Sequence, residues 1–178
     1  MSTPQTKSEN HLDSQEAKWF AVYTKYKREK LVNERLSEKG IQTYLPLQQF
    51  TRRYTRKVKQ VELPLISCYI FTKITKQEYV PVLETPDVVQ FVNFSRNLIA
   101  IPEEEIRTLQ RVVGENIEIE VEPSAYQEGD AVEIIGGNLT GLKGKLVRKE
   151  NKNRFYVELE KMGYTLQMEI PLEVLRKC

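Results

Sequence analysis

Lysine and arginine crowd the stretch from Lys18 to Val61, twelve of them against three glutamates, a net of +9. A segment this basic offers ammonium and guanidinium groups to a polyanion, so the chemistry it can do is phosphate binding rather than bond breaking. Its densest part is Arg52-Arg53-Tyr54-Thr55-Arg56-Lys57. From Glu62 to Ala125 the balance reverses, with five cations against eleven acids, and the whole chain carries only +2. Positive charge is therefore expected on one face. Residue types suited to catalysis are absent or misplaced. The only histidine, His11, lies in a polar leader where it is expected to be neither oriented by a partner nor desolvated. Glu103-Glu104-Glu105 could pass for paired carboxylates, but its place at a predicted helix start makes it a complement to the helix dipole. The glycine-rich stretch after Gly136 lacks the Lys-Ser/Thr of a phosphate-cradling loop. Cys68 and Cys178 have neither disulfide nor zinc-ligand spacing. No enzyme, metal or cofactor is expected.

The elements that position the cations follow from hydrophobic pattern. Lys18 to Thr24 contains Trp-Phe-Ala-Val-Tyr and predicts a buried strand. Lys27 to Lys39 is rich in Lys, Glu, Arg and Leu, sets Val32 and Leu36 on one face, and predicts a helix that stops at Gly40. Ile41 to Leu47 predicts a second strand, and Gln48 to Leu63 a long hairpin with the basic cluster at its tip. Leu65 to Ile74, the most apolar run, predicts a central strand. Thr75 and Glu78 have capping-box spacing, with Pro81 shortening the helix they open. Val88 to Asn93 and Leu98 to Ile101 predict a hairpin. A helix then begins at Pro102, with Ile106, Leu109 and Val113 as its inner face, and ends at Gly114.

Glu115 to Ser124 alternates Glu with Ile or Val before Pro123, and predicts an interdomain linker with some strand character. Beyond it, short strands at Ala131 to Ile135, Lys145 to Arg148, Phe155 to Leu159 and Leu166 to Ile170 predict a small β-barrel. The expected organisation is α+β: a disordered leader (1–17), an antiparallel sheet flanked by helices (18–114), a flexible linker (115–124) and the barrel (125–178). No apolar run approaches the roughly 20 residues of a membrane span, and the leader lacks a signal-peptide core. A cytoplasmic monomer without membrane contact is expected.

Gly129-Asp130-Ala-Val132-Glu-Ile134-Ile-Gly136-Gly137, with Gly141 and Gly144 before Leu146, resembles the KOW motif. Upstream, Trp19-Phe20-Ala21-Val22-Tyr23 before a basic helix, Pro64-Leu65-Ile66-Ser67-Cys68-Tyr69-Ile70-Phe71, and Thr85-Pro86-Asp87-Val88-Val89-Gln90-Phe91-Val92 resemble the N-terminal domain of the NusG superfamily in order and spacing. The resemblance covers nearly everything after the leader. It departs where family members usually have Pro-Gly or Pro-Asn and this chain has Ser67-Cys68, and where Asn138 replaces a common proline. The basic hairpin, Glu29-Lys30 and Tyr44-Leu45-Pro46-Leu47 look more like RfaH and the UpxY-type regulators of capsule polysaccharide operons than like general NusG.

That resemblance implies a transcription antitermination factor. Its N-terminal domain would sit on the clamp helices of RNA polymerase through Tyr23, Ile66, Tyr69, Phe71 and Phe94, although Tyr69 and Phe71 could equally be core. Lys25, Tyr26, Lys27, Arg28 and Arg35 match positions that touch single-stranded non-template DNA, where cations meet phosphate and Tyr26 offers a stacking face. A solvated helix face is the alternative there. The hairpin cations Arg52, Arg53, Arg56, Lys57 and Lys59 would reach upstream DNA or keep a strand edge from aggregating. The KOW domain, with Gly129, Asp130, Val132, Ile134, Gly137 and Gly144, would recruit Rho or a small-subunit ribosomal protein. A general elongation factor that assists Rho and a ribosome-associated RNA-binding protein are the competing functions.

Overall fold

The computed structural model describes residues 8–115, 117–124, 129–149 and 152–178. The chain forms two compact units, Met1–Leu45 with Ile66–Pro102 and Pro46–Leu65 with Glu103–Cys178.

In the first unit, β1 (Lys18–Thr24), β2 (Gln42–Tyr44), β5 (Tyr69–Ile74) and β6 (Val88–Phe91) form an antiparallel sheet in the order β2-β5-β1-β6. Strand alternation divides their side chains. Phe20, Val22, Ile70, Ile74 and Phe91 form a core with Val32 and Leu36 of α1 (Glu29–Glu38) and Val82 of α2 (Tyr79–Leu83). Each such side chain, when fully buried, contributes about 1.5–3 kcal/mol. Trp19, Ala21, Tyr23, Tyr69 and Phe71 occupy the opposite face by the same alternation.

α1 ends as predicted. Gly40, at φ 75°, donates its N–H to Ser37 and the Ile41 N–H reaches Leu36, so the Schellman geometry satisfies the last carbonyls. Thr75 and Glu78 form the predicted capping box, but it opens one 3₁₀ turn (Lys76–Glu78) before the short α2, which contains Pro81. The leader differs from expectation over residues 8–17. Glu9 and His11 exchange backbone hydrogen bonds with Leu98, Lys76 donates to the Asp13 carbonyl, and Leu12 packs on the core. These partners lie far away in sequence. Residues 1–7 of the expected disordered leader are outside the described residues.

The second unit contains β3 (Leu47–Tyr54) and β4 (Lys57–Pro64), a two-stranded hairpin joined at Thr55-Arg56. It also contains α3 (Glu103–Val113) and a six-stranded antiparallel sheet. That sheet is built from β7 (Ile119–Pro123), β8 (Asp130–Ile134), β9 (Lys143–Lys149), β10 (Lys152–Leu159), β11 (Tyr164–Met168) and β12 (Leu175–Lys177), in the order β12-β8-β9-β10-β11-β7. Ile119, Val132, Ile134, Phe155, Val157, Leu159, Leu166 and Met168 are among its buried apolar residues.

Two sequence expectations change here. Within the expected linker, residues 119–123 pair with β11, Val121 opposite Leu166 and Ile119 opposite Met168, so the Ile/Val alternation does the work of a sheet edge. The compact units also divide the chain elsewhere than at 115–124. Gln48 of the hairpin donates to the Ile117 carbonyl at 3.1 Å. Glu105 of α3 accepts the Lys161 and Met162 N–H groups at 3.0 and 3.2 Å, and Arg111 donates to the carbonyls of Asn138 and Thr140. The buried stripe of α3 is Ile106, Leu109 and Val112 rather than Val113. Residues 125–128 of the expected barrel, and 116 of the linker, lie outside the described residues.

Candidate functional site

Tyr23, Tyr69 and Phe71 come together on one face of the first sheet. β1 and β5 place Tyr23 opposite Tyr69 and Ala21 opposite Phe71. The two tyrosine rings stand 4.5 Å apart, and the Tyr69 hydroxyl donates to that of Tyr23 at 2.5 Å. Phe71 is 1% exposed and Ile66 is buried, which sets both closer to packing than to a wet rim. Ile66 lies in the turn before β5, and Phe94 in a tight turn after β6 where its backbone pairs with Asn97. Tyr44 was not among the expected residues. β2 sets it opposite Phe71, with the rings stacked at 6.3 Å, and burial pushes its phenol well above the ordinary range. An aromatic ending a short edge strand was the available signal.

The basic loop between β1 and α1 is built by two carboxylates. A register shift at Tyr23/Thr24 interrupts the pairing of β1 with β6, which resumes with Thr24 opposite Val88, as at a bulge beside a loop. Lys25 donates its N–H to the Asp87 carbonyl and its ammonium lies 3.5 Å from the Asp87 carboxylate. Arg35 binds the same carboxylate at 2.8 Å and the Pro86 carbonyl at 2.9 Å. Its guanidinium, and secondarily Lys25, hold the Asp87 carboxyl below the usual carboxylate range. Arg35 therefore fixes the turn at Asp87, whose φ of 72° needs such support. Lys27 also sits at positive φ, 61°, with its ammonium 5.2 Å from the Tyr26 ring centroid. Tyr26 itself is 67% exposed, and Arg28 is exposed beside it at the N-cap of α1.

The second carboxylate is Glu29. Only 4% exposed, it accepts the Cys68 N–H at 2.8 Å. Cys68 has φ 64°, a conformation that favours glycine, so the Ser67-Cys68 departure falls at a left-handed turn and Glu29 holds that turn. Burial and the Glu29 charge push the Cys68 thiol up, away from the thiolate form. Sequence reading passed over Glu29 and Asp87 as functional supports.

The hairpin cations Arg52, Arg53, Arg56, Lys57 and Lys59 are all exposed. In the C-terminal sheet, Val132 and Ile134 are core residues, and Asp130 pairs with Lys177 at 2.9 Å. Gly137 sits at φ 76°. A Cβ on Gly144 would collide with the Tyr156 carbonyl and the Phe155 ring, and one on Gly129 would come within 2.6 Å of the Leu146 carbonyl. The glycines thus permit close strand approach. His11 is oriented, contrary to expectation. Its Nε2 lies 2.6 Å from Glu9 Oε1 and its Nδ1 accepts the Ala100 N–H at 3.1 Å. Its partners, the Glu9 carboxylate in the leader and the Ala100 backbone, strap the leader to the first unit. Among the described residues no group of metal-ligating side chains occurs, and no helix is long and apolar enough to cross a membrane.

Comparison with known proteins bears on the family and the fold. A transcription termination/antitermination protein NusG from Streptococcus pyogenes serotype M1 is 29% identical over 176 residues, covering 90% of this chain and 96% of the relative. The serotype M3 protein of the same name matches equally. The structure of Thermotoga maritima NusG shares the fold, with a TM-score of 0.56 and 20% identity over 92% of this chain and 98% of that one. Residues 17–110, which hold the aromatic face and both basic regions, match the family model of the transcription termination factor NusG, and on that match the chain belongs to the NusG family.

Proposed function

We propose that this chain is an operon-specific antitermination factor that suppresses pausing and termination by holding RNA polymerase and the exposed non-template strand together. Its family is one of transcription termination factors rather than enzymes. The observation that carries the reading is Tyr26, 67% exposed on a loop braced by Asp87 and flanked by Lys25, Lys27 and Arg28. Such a platform suits an extended strand, with the ring under a base and the cations on phosphates. Arg35 acts by holding the platform. The aromatic side of the first sheet, with Tyr23 and Tyr69 lying over the buried Phe71 and Ile66 and with Phe94 flanking, is the proposed contact with the polymerase clamp. The KOW domain is proposed to recruit Rho or a small-subunit ribosomal protein. Resemblance to RfaH and UpxY-type regulators supports service of particular operons, such as those for capsule polysaccharide.

Elongation by purified RNA polymerase on candidate leader templates, with and without the protein, tests the reading. Read-through of terminators and shortened pauses are expected on some templates, and no change on any would remove the proposal. Lys27→Glu with Arg28→Glu should weaken single-stranded DNA binding and flatten the log-affinity against log-salt slope by about 1.4.

A further inference from the structure

The outer half of the β3–β4 hairpin carries five cations, Arg52, Arg53, Arg56, Lys57 and Lys59, while the hairpin holds a single carboxylate, Glu62. Among the described residues none of the five is in an ion pair. The strand register sorts them. Arg52 stands directly opposite Lys59, Tyr54 opposite Lys57, and Arg53 opposite Val58. Alternation then sets Arg52, Tyr54, Lys57 and Lys59 on one face, and leaves Arg53 and Val58 on the other.

Directly opposed side chains in an antiparallel pair have Cβ atoms about 4.5–5.5 Å apart, and like charges there destabilise the pairing. Solubility alone would be served by alternating signs, or by cations spread over both faces. Here two like charges are opposed, a third lies beside them, and an aromatic ring stands 52% exposed on the same face. A polyanion relieves that repulsion. An exposed ring adds nothing to phosphate binding, but it stacks on a base whose face is free, and duplex bases are already stacked on one another.

We propose that the Arg52–Tyr54–Lys57–Lys59 face is a second binding site for single-stranded DNA, with Tyr54 stacked on a base and the three cations on flanking phosphates. The choice of DNA rests on the functional reading above, whereas the site uses none of the residues of the loop before α1. Its sequence signal was partial, since the basic tip was legible but Tyr54 was not separated from the turn.

The test uses the full chain and labelled oligonucleotides on the order of 15 nucleotides, within the span of common single-strand sites. One sequence is presented as single-stranded DNA, duplex DNA and RNA, over a salt series. All variants are made both in the wild type and in a Lys27→Glu, Arg28→Glu background, which disables the first site. Tyr54→Ala should lose about 5- to 150-fold in affinity for single-stranded DNA in both backgrounds. Tyr54→Phe should retain the affinity. Arg52→Ala with Lys59→Ala should flatten the salt slope by about 1.4.

Thermal unfolding should be nearly unchanged in every variant, because these side chains are exposed. If Tyr54→Ala is silent while Lys27→Glu with Arg28→Glu abolishes binding, the hairpin site is wrong and the functional reading stands. Equal losses on duplex and single strand, or tighter binding to RNA than to DNA, would overturn the assignment of the occupant. If the wild type binds none of the three, both the hairpin site and the DNA part of the functional reading fall.

Discussion

At the approach to α1, Lys25 and Arg35 are tied to Asp87 and Lys27 lies over Tyr26, whereas on the hairpin Arg52 faces Lys59 with no acid between them. Both regions are basic and exposed, yet they hold their charge differently. The first is braced by carboxylates and by a packed sheet, so its geometry is settled before any ligand arrives, which lowers the ordering cost of binding. The second is held by its own ladder of cross-strand hydrogen bonds and leaves its repulsion for a ligand to neutralise. Substitution of the groups that brace the first region, such as Arg35, should therefore act on stability, whereas substitution on the exposed hairpin face should act on affinity.

The largest expected effect is at Phe71, which lies opposite Ala21 of β1 and is 1% exposed. Phe71→Ala should cost about 3–5 kcal/mol of stability by urea unfolding. On the hairpin, Val58→Ala should stay within about 0.5 kcal/mol, since Val58 is exposed. A small effect at Phe71 would show that this ring is not core and would return it to the polymerase surface. A large effect at Val58 would break the contrast from the other side.

A smaller effect is expected at Arg35. The guanidinium lowers the Asp87 carboxyl below its unfolded value, so the stability it provides is present above the ordinary carboxylate range and is lost as pH falls through the folded value. Arg35→Ala should therefore lower Tm most near neutral pH. The gap to wild type should close as pH drops below about 4, the unperturbed Asp value. A gap that persists unchanged into acid would mean that Arg35 acts through packing instead of through Asp87.

How much of this was legible follows from sequence distance. β1, α1 with its Gly40 stop, and the basic hairpin are local patterns, and they occur where hydrophobic period and capping residues placed them. The Arg35–Asp87 clamp joins residues 52 apart, and the leader strap joins Glu9 to Asn97, 88 apart, and no local pattern announces either. Alternation in residues 119–123 was visible, but its partner, β11, follows some 40 positions later, so strand and linker looked alike. The hairpin face was hidden for another reason. Its turn residues, Thr55-Arg56, lack the Asn-Gly or Asp-Gly pair that would pin a two-residue turn, and a one-residue slip in register exchanges the two faces.

That register also yields the smallest expected effect, and the one that separates the two regions most sharply. Arg52→Glu replaces a like-charge pair with an opposite-charge pair directly across from Lys59. Cross-strand pairs of opposite charge contribute roughly 0.2–1 kcal/mol, and full exposure to solvent favours the lower end of that range. The variant should therefore be slightly more stable in thermal unfolding at low salt, and the gain should shrink as salt screens the pair. Single-stranded DNA affinity should fall at the same time, because a phosphate contact has become a repulsion. Opposite signs in the two measurements are what a ligand-directed charge pair requires. If Arg52→Glu destabilises the chain and weakens binding together, Arg52 supports the hairpin itself, and the two basic regions differ less than their contacts indicate.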